Sequence, residues 1–492
     1  MNDVCLFLEG TYPYVAGGVS GWVSDLIKRM DDVTFSVVYL GAKRSAAKKM
    51  HYALPDNVLD FRELYLFDYG VKDDRRNQFT KGQISLLEDF LKECVRGETK
   101  SFYKFADKML SGEITFYDII FSYDAWKILE RMYERDASDQ SFLDYFWTWR
   151  FMYLPLFSLL KVQLPPARVY HSVSTGYAGV LGALAKHQHG RPYIVTEHGI
   201  YTRERKIDIS QADWIYSKDA SEIKVTERSD IFKGWWINLF IFFSKIAYES
   251  ADSIVTLYEG NRAAQINEGA DAASTAVIPN GVDFDEFQKL SRIPRGKNFR
   301  IGFMGRVVPI KDVKTLLMAM RMVKEELKDI EVYIMGPTDE DQEYFRECQL
   351  LVETQSLKDV VRFTGKVNVK EYYPKLDILV LTSISEGQPI VILEAHAMGI
   401  PVVATNVGSC SELLYGSSRD DKLLGPSGIV TPVSNPEATA QGIVKILKDP
   451  LLYKRMSETA VARTSRYYRM EALIANYRMM YQKYIEEIRW QA

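Results

Sequence analysis

Short apolar runs alternate with longer stretches of helical periodicity along most of the chain. That alternation predicts a doubly wound α/β protein built twice over. Residues 4–8 read as a continuous buried strand, Gly17 and Gly18 lie in the loop after it, and residues 35–40 read as the next strand. Between them Val23, Leu26, Ile27 and Met30 recur at helical spacing, so a helix is expected to open at Ser20. Further strands are expected at 169–172, 192–196, 253–257 and 276–279, with an alanine-rich helix from 174 to 186. After the turn Asn280-Gly281-Val282-Asp283 the pattern restarts. Strands are expected at 299–305, 331–336, 360–365, 378–382, 401–405 and 428–430, with helices at 313–324 and 438–448. Residues 467–490 carry apolar positions throughout and predict one long helix. The division that follows is an N-terminal Rossmann-like domain at 1–282, completed by a helix at 467–492, and a C-terminal one at 283–466, with a hinge near 282.

Three stretches depart from the alternation. Residues 70–165 are charged and aromatic and predict a helical insert, in which Asp124, Trp126, Phe146, Trp147, Trp149 and Tyr153 are read as packing. Residues 202–226 are polar and read as a loop. Residues 231–248 are the most membrane-like, but Lys233, Asn238, Ser244 and Lys245 interrupt them and they fall short of the ~20 apolar residues of a span. A buried or interfacial helix is expected there.

At 492 residues the chain exceeds a single core. Its net charge of −3 gives no nucleic-acid footprint. Cys5, Cys94, Cys348 and Cys410 are scattered without pairing or metal spacing, and the first strand begins with no leader ahead of it; both fit the cytoplasm.

The chemistry concentrates at 384–398. Glu386 and Glu394 stand in a segment where Pro389 is expected as the first helical residue, Ile390 to Leu393 are apolar, and Gly399 and Pro401 end the helix. Glu394 is therefore a carboxylate on an otherwise buried helix. It is either held by a structural partner such as an arginine or faces a ligand beside a helix N-terminus, which is an anion site. Gly17 and Gly18 do not form a G-x-G-x-x-G fingerprint, which removes the main support for hydride transfer, yet paired glycines let a backbone approach a ligand closely. His171 and Ser172 end a strand without an assigned role. Asp283-Phe284-Asp285 has the D-x-D form of metal-dependent transferases but falls in the hinge and is read as structural.

Glu386-x7-Glu394, Gly305-Arg306 followed by Lys311-Asp312, and Pro279-Asn280-Gly281-Val282-Asp283 together resemble the retaining GT-B glycosyltransferases of family four. The resemblance is strong over 280–465 and looser before it. Residues 6–14, Gly17-Gly18-Val19-Ser20-Gly21-Trp22 and Thr196-Glu197-His198-Gly199-Ile200-Tyr201 narrow it to the cytosolic glycosyltransferases of Pel-type exopolysaccharide assembly, whose extra N-terminal region the 70–165 insert is similar to. It implies a GT-B fold, with two Rossmann-like domains facing each other across a cleft. It also implies retaining transfer of a hexose or N-acetylhexosamine, from a donor such as UDP-glucose or UDP-GalNAc, onto a growing polysaccharide. Recruitment to an inner-membrane synthase and export complex goes with it.

In that scheme Arg306 and Lys311 take the diphosphate, as a planar fork and a point charge. Glu394 takes the ribose diol, and Glu386 with the Gly387 and Gln388 amides takes the hexose hydroxyls. The helix starting near Pro389 adds positive potential, and Gly305 belongs to the Arg306 loop. Gly17 and Gly18 bring amides to the phosphates, and His198 lies near the hexose C6 hydroxyl. No cofactor and no metal is required. Paired carboxylates suggest double displacement in glycosidases, but here both are committed to hydroxyls, and the resemblance implies a front-face reaction assisted by the leaving phosphate. Competing readings are a glycogen- or sucrose-synthase-like glucosyltransferase, a two-Rossmann UDP-sugar epimerase, and an idle sugar-nucleotide-binding scaffold.

Overall fold

The computed structural model describes residues 1–44, 49–69, 78–210, 230–294 and 296–491. The chain forms two compact units, Met1–Thr256 with Arg262–Ala276 and Arg478–Ala492, and Leu257–Asn261 with Val277–Tyr477. The chain crosses between the units at 256/257, 261/262, 276/277 and 477/478.

Unit 1 holds β1 (Asn2–Glu9), β2 (Phe35–Gly41), β3 (Val58–Tyr65), β4 (Ala167–Ser172), β5 (Tyr193–Glu197), β6 (Ser253–Thr256) and β7 (Thr275–Val277), in the order β3-β2-β1-β4-β5-β6-β7. Val4 to Leu8 are fully buried, since helices cover both faces of a parallel sheet. Unit 2 holds β8 (Phe299–Met304), β9 (Ile330–Met335), β10 (Val361–Gly365), β11 (Ile378–Leu381), β12 (Val402–Thr405) and β13 (Gly428–Thr431), paired in parallel in the order β10-β9-β8-β11-β12-β13. Strand order reverses between β1 and β4 in unit 1 and between β8 and β11 in unit 2. Crevices at the carboxyl ends of such neighbours are where doubly wound sheets bind ligands.

The insert is helical: Lys81–Arg96, Phe102–Leu110, Phe116–Phe121, Tyr123–Asp136 and Phe142–Leu160. Trp149 and Tyr153 are buried as expected, whereas Trp126 and Trp147 are 41% and 46% exposed. The helix Asp230–Ser250 joins the same core and is buried rather than interfacial, with none of residues 231–248 exposed. Its polar residues are satisfied within unit 1: Lys233 Nζ donates to Ser210 O (3.1 Å), Asn238 Nδ2 to Val95 O (2.7 Å) and Lys245 Nζ to Gly97 O (2.8 Å). Ser244 pairs with Thr175 at 2.8 Å. Among the described residues no helix is long and apolar enough to cross a membrane.

Two expectations need correction, and some elements carry none. The loop expected at 202–226 begins as a helix, Tyr201–Ser210, and 211–229 lie outside the described residues. The edge strand β3 and the helix Gln342–Thr354 carry no expectation from the sequence. The helix after β1 starts at Gly18, two residues early. The terminal helix expected at 467–490 is Met470–Gln491, and a separate helix that carries no expectation, Pro450–Tyr467, precedes it. Val282 bridges the break: its N–H donates to Tyr468 O (2.9 Å) and its carbonyl accepts from Met470 N (3.0 Å). A Cβ on Gly281 would meet Met470 Cα at 2.6 Å, so the neighbouring turn needs glycine there.

Candidate functional site

In unit 2 the loops after β8 and β11 are stitched together at the point where strand order reverses. Ile384 N donates to Ile310 O (2.8 Å) and Thr382 Oγ1 to Lys311 O (3.1 Å). Pro309–Lys311 is a single 3-10 turn, and Asp312 at φ 44° caps the helix Val313–Glu326, its carboxylate accepting from Thr315 N (3.2 Å) and Oγ1 (2.7 Å). Lys311 is thereby aimed at Glu386. Its ammonium donates to Glu386 Oε1, which also accepts from Ser383 Oγ at 2.6 Å. The pair is largely shielded, at 20% and 12% side-chain exposure.

The Glu386-Gly387 turn rests on the loop after β12. Ser409 N donates to Gly387 O (2.9 Å), and a Cβ on Gly408 (φ +51°) would lie 2.3 Å from both Glu386 O and Gly387 O. On the other side Gly305 N donates to Met335 O (2.9 Å), and a Cβ on Gly336 (φ +148°) would lie 2.0 Å from Gly305 O. Both glycines are required by close backbone approach.

Pro389 is the residue before the helix Ile390–Ala397, in extended conformation, rather than its first helical residue. The Gln388 side chain is spent inside unit 2: Oε1 accepts from Asn280 N (2.5 Å) and Nε2 donates to Leu257 O (3.2 Å). Glu394 has a structural partner, but it is a tyrosine: Tyr373 Oη donates to Oε2 at 2.7 Å. Burial pushes this carboxyl up to about 7, with the tyrosine hydrogen bond opposing. Arg306 is half exposed and paired with Glu340. Asp285 binds Arg469 at 2.5 Å, a structural use of the D-x-D segment. The structure thus brings Lys311 and Glu386 into contact, and gives Arg306 and Glu394 separate partners. Ser383, Gly336, Gly408, Tyr373 and Glu340 support these residues and were not singled out from the sequence. Gly336 and Gly408 carried a local signal, each as a turn glycine after an apolar strand.

In unit 1 Gly17 caps and Gly18 opens the helix Gly18–Lys28. Both are exposed, and a Cβ on either would meet nothing within 4 Å. His198 follows β5, packed edge-on against the Trp22 ring at 4.8 Å, and burial pushes it down to about 4, so its imidazole is neutral near pH 7. His171 and Ser172 are structural. His171 is buried between Tyr481 Oη (2.7 Å) and Thr196 Oγ1 (2.8 Å), and Ser172 pairs with Tyr193 Oη (2.7 Å). Glu197 is a buried knot, accepting from Tyr248 Oη (2.5 Å), Gln265 Nε2 (2.9 Å), Thr175 Oγ1 (3.0 Å) and Tyr201 N (3.3 Å). Burial pushes its carboxyl up against those four donors. Beside it, at the carboxyl ends of β1, β4 and β5, lies a cavity of about 230 Å³ whose wall includes His198, Gly199 and Tyr201.

Two family profiles match the chain: "Domain of unknown function (DUF3492)" over residues 2–273 and "Glycosyl transferases group 1" over 283–463. A D-inositol 3-phosphate glycosyltransferase of Geodermatophilus obscurus is 32% identical over 194 residues, 36% of this chain and 41% of that protein. An MMP alpha-(1->4)-mannosyltransferase of Mycolicibacterium hassiacum is 23% identical over 313 residues, 61% of this chain and 67% of that one. The chain thus spans about two fifths of the length of the first of these relatives. Among solved structures, the sucrose-phosphate synthase of Thermosynechococcus elongatus superposes with a TM-score of 0.59 at 16% identity, covering 98% of both chains. Anabaena HepE in complex with UDP superposes at 0.58 and 16% identity, covering 97% of this chain and 99% of that one. At such identities the likeness establishes the fold, GT-B, and no more. With the first profile matching more than half of its length, the protein belongs to the family described as Domain of unknown function (DUF3492), joined to a glycosyl transferases group 1 region on a GT-B fold.

Proposed function

We propose that the protein is a UDP-sugar-dependent retaining hexosyltransferase whose donor lies on unit 2. The observation that carries the reading is the shielded Lys311–Glu386 pair at the β8/β11 reversal, inside the stretch matched by the group 1 profile. Lys311 and Arg306 exchange their carboxylate partners for the donor diphosphate. Glu394 accepts from the ribose diol, and Glu386 and the Gly387 amide hold the hexose. The acceptor oxygen bonds to C1 as the C1–phosphate oxygen bond breaks. The acceptor proton passes to the leaving phosphate on the same face, which keeps the anomeric configuration. Catalysis is then positioning plus charge stabilisation, with one such contact supplying about 3–4 kcal/mol. No step in this scheme calls on a metal or cofactor.

The test is UDP release from UDP-glucose, UDP-galactose and their N-acetylated counterparts, with the product anomer read by NMR. An α product from an α donor is expected. Conversion of a UDP-sugar to its epimer without transfer would establish the epimerase instead, and binding without turnover the scaffold. A glucosyltransferase of the sucrose- or glycogen-synthase kind would accept only the glucose donor.

In the finer version of this reading the acceptor is a Pel-type polysaccharide, and the chain works in the cytoplasm, held at the inner membrane by synthase and export partners. Burial of the Asp230–Ser250 helix supports attachment through partners rather than through that helix. Fractionation of cells lacking those partners should leave the chain in the soluble fraction, and retention on membranes contradicts it.

A further inference from the structure

The two glutamates of unit 2 are held in different ways. Glu386 carries a cation, Lys311, whereas Glu394 carries a phenol, Tyr373, whose hydroxyl donates to Oε2 at 2.7 Å. A cation competes with the diphosphate for which it is needed, but a neutral donor can stay in place when a ligand binds. An ionised carboxylate accepts at about four lone-pair positions, and Tyr373 takes one of them. Oε1 and the second lone pair of Oε2 remain for the two hydroxyls of a ribose diol. The phenol itself is firmly seated. Tyr373 is fully buried on the 3-10 turn Tyr373–Lys375, ahead of β11. Its ring meets Phe287 edge-on at 5.8 Å, and Phe287 lies on the short helix Phe284–Gln288. Gln288 Nε2 of that helix donates to Ala397 O, in the helix that carries Glu394. The Tyr373 hydroxyl also lies 3.3 Å from Val391 O, one turn back along the same helix.

The consequence for Glu394 follows from its torsions. The last torsion of a glutamate is broad, so a carboxylate held at no point swings about it. Hydroxyl donors prefer the plane of the acceptor group. A bond to Oε2 fixes that plane before a diol meets it. The charges on the elements packed around this helix are committed elsewhere: Asp285 to Arg469, Glu286 to Lys370 and Arg463 to Asp421. His396, on the same helix, is pushed down to about 3 by burial and is neutral. Burial raises Glu394 to about 7, and the Tyr373 bond opposes that rise by favouring the ionised form. Burial, and then the neighbouring Glu394, keep the phenol itself well above its ordinary value, so it donates throughout the neutral range.

We infer that Tyr373 is a positioning residue for nucleotide recognition: it sets the plane of the Glu394 carboxylate toward a ribose diol and so makes the chain prefer ribonucleotides over their deoxy counterparts. The inference rests on the proposed placing of the ribose at Glu394, which it deepens. Tyr373 touches no substrate in this scheme and acts only through the carboxylate it holds.

Calorimetric titration of the full chain with UDP and with 2′,3′-dideoxy-UDP tests it. The ratio of the two affinities isolates the diol and cancels the phosphates, including their own titration. In the wild type this ratio should be about tenfold or more at pH 8, having risen from pH 6. In Glu394→Ala it should fall to within about twofold of one. Tyr373→Phe removes one hydroxyl and keeps the ring. Its ratio should lie about threefold or more below that of the wild type at pH 7.5. Its rise with pH should also move upward by about half a unit or more, because the carboxyl loses the donor that favours its ionised form. If Tyr373→Phe does not fold, Tyr373→Met removes the same hydroxyl and should behave alike. An unchanged ratio at pH 7.5, or an unshifted pH profile, in a folded variant overturns the inference, whatever happens to the melting temperature. A wild-type ratio near one, or a ratio that survives Glu394→Ala, overturns instead the ribose assignment on which the inference stands.

Discussion

Lys311 and Glu386, 75 positions apart, are hydrogen-bonded to each other, with Ser383 holding the same carboxylate oxygen. Each therefore has a charged partner within the protein. Their coupling should appear in a double-mutant cycle. Lys311→Met and Glu386→Gln singly should each lower the melting temperature, because each strands a partly shielded group, at a cost of about 1–3 kcal/mol. The double variant should melt near the wild type yet show no turnover. Additive losses of stability would mean that the pair is a surface accident.

The Glu394 carboxyl, raised to about 7 in the folded chain, makes stability and ligand binding depend on pH in opposite senses. Its folded value lies above the ordinary carboxylate value, so its contribution to stability is full below about 4.5 and is lost as pH rises through about 7. Glu394→Gln should therefore raise the melting temperature at pH 8.5 and leave it nearly unchanged at pH 5. UDP affinity should run the other way. The ribose diol donates to the ionised carboxylate, so wild-type affinity should increase from pH 6 to pH 8, and the Glu394→Gln profile should be flat. A flat wild-type profile would show that the ribose is held elsewhere.

Much of unit 2 was legible because its signals are local. A strand followed by Glu386-Gly387 and an apolar helix fits within about twenty residues, and the Glu386-to-Glu394 spacing can be read directly. What holds those residues could not be read, since it is tertiary. Tyr373 reaches Glu394 from a 3-10 turn before β11, Gly408 backs the Glu386 turn from beyond β12, and Glu340 engages Arg306 from the loop after β9. The start of the terminal helix was legible to within a few residues, whereas the helix Pro450–Tyr467 before it was not singled out; Val282 holds the junction between them through two backbone hydrogen bonds. The edge strand β3 hid because Asp60, Arg62 and Glu63 interrupt its apolar positions, as suits a strand open on one side. In unit 1 the stretch Thr196–Tyr201 supplies His198, Gly199 and Tyr201 to the cavity, while Glu9, Thr11 and Ser174 come from other strand ends and could not be joined to it from the sequence.

Three histidines should set the acid limit of the fold. Burial pushes His171 down to about 3, His198 to about 4 and His396 to about 3. Their folded values lie below the ordinary imidazole value near 6.5, so the stability they allow is full above that pH and is lost as pH falls from 6.5 toward 4. His396 is the clearest case, with neither ring nitrogen partnered among the described residues. His396→Leu should raise the melting temperature more at pH 5 than at pH 8. An equal effect at both would place the acid limit elsewhere.

Arg463 and Asp421 form a fully buried pair in unit 2 at 2.6 Å. The guanidinium also donates to the carbonyls of Leu414 (2.8 Å), Asp421 (3.1 Å) and Gly425 (2.9 Å) and to Ser427 Oγ (3.0 Å). Arg463→Ala leaves the carboxylate and those carbonyls without their donor and should destabilise the chain by about 3–5 kcal/mol. Chemical denaturation measures this. A loss under 1 kcal/mol would show that water replaces the arginine.

The division of the donor between the two glutamates is the centre of the account, and calorimetric titration with UDP tests it most directly. UDP carries the ribose that Glu394 is assigned and lacks the hexose that Glu386 is assigned. Glu394→Ala should weaken UDP about tenfold or more, some 1.4 kcal/mol. Glu386→Ala should leave UDP affinity unchanged or tighten it, since it releases Lys311 to the diphosphate, while turnover of the UDP-sugar collapses. Equal weakening in both variants, or weakening in Glu386→Ala alone, would contradict the assignment.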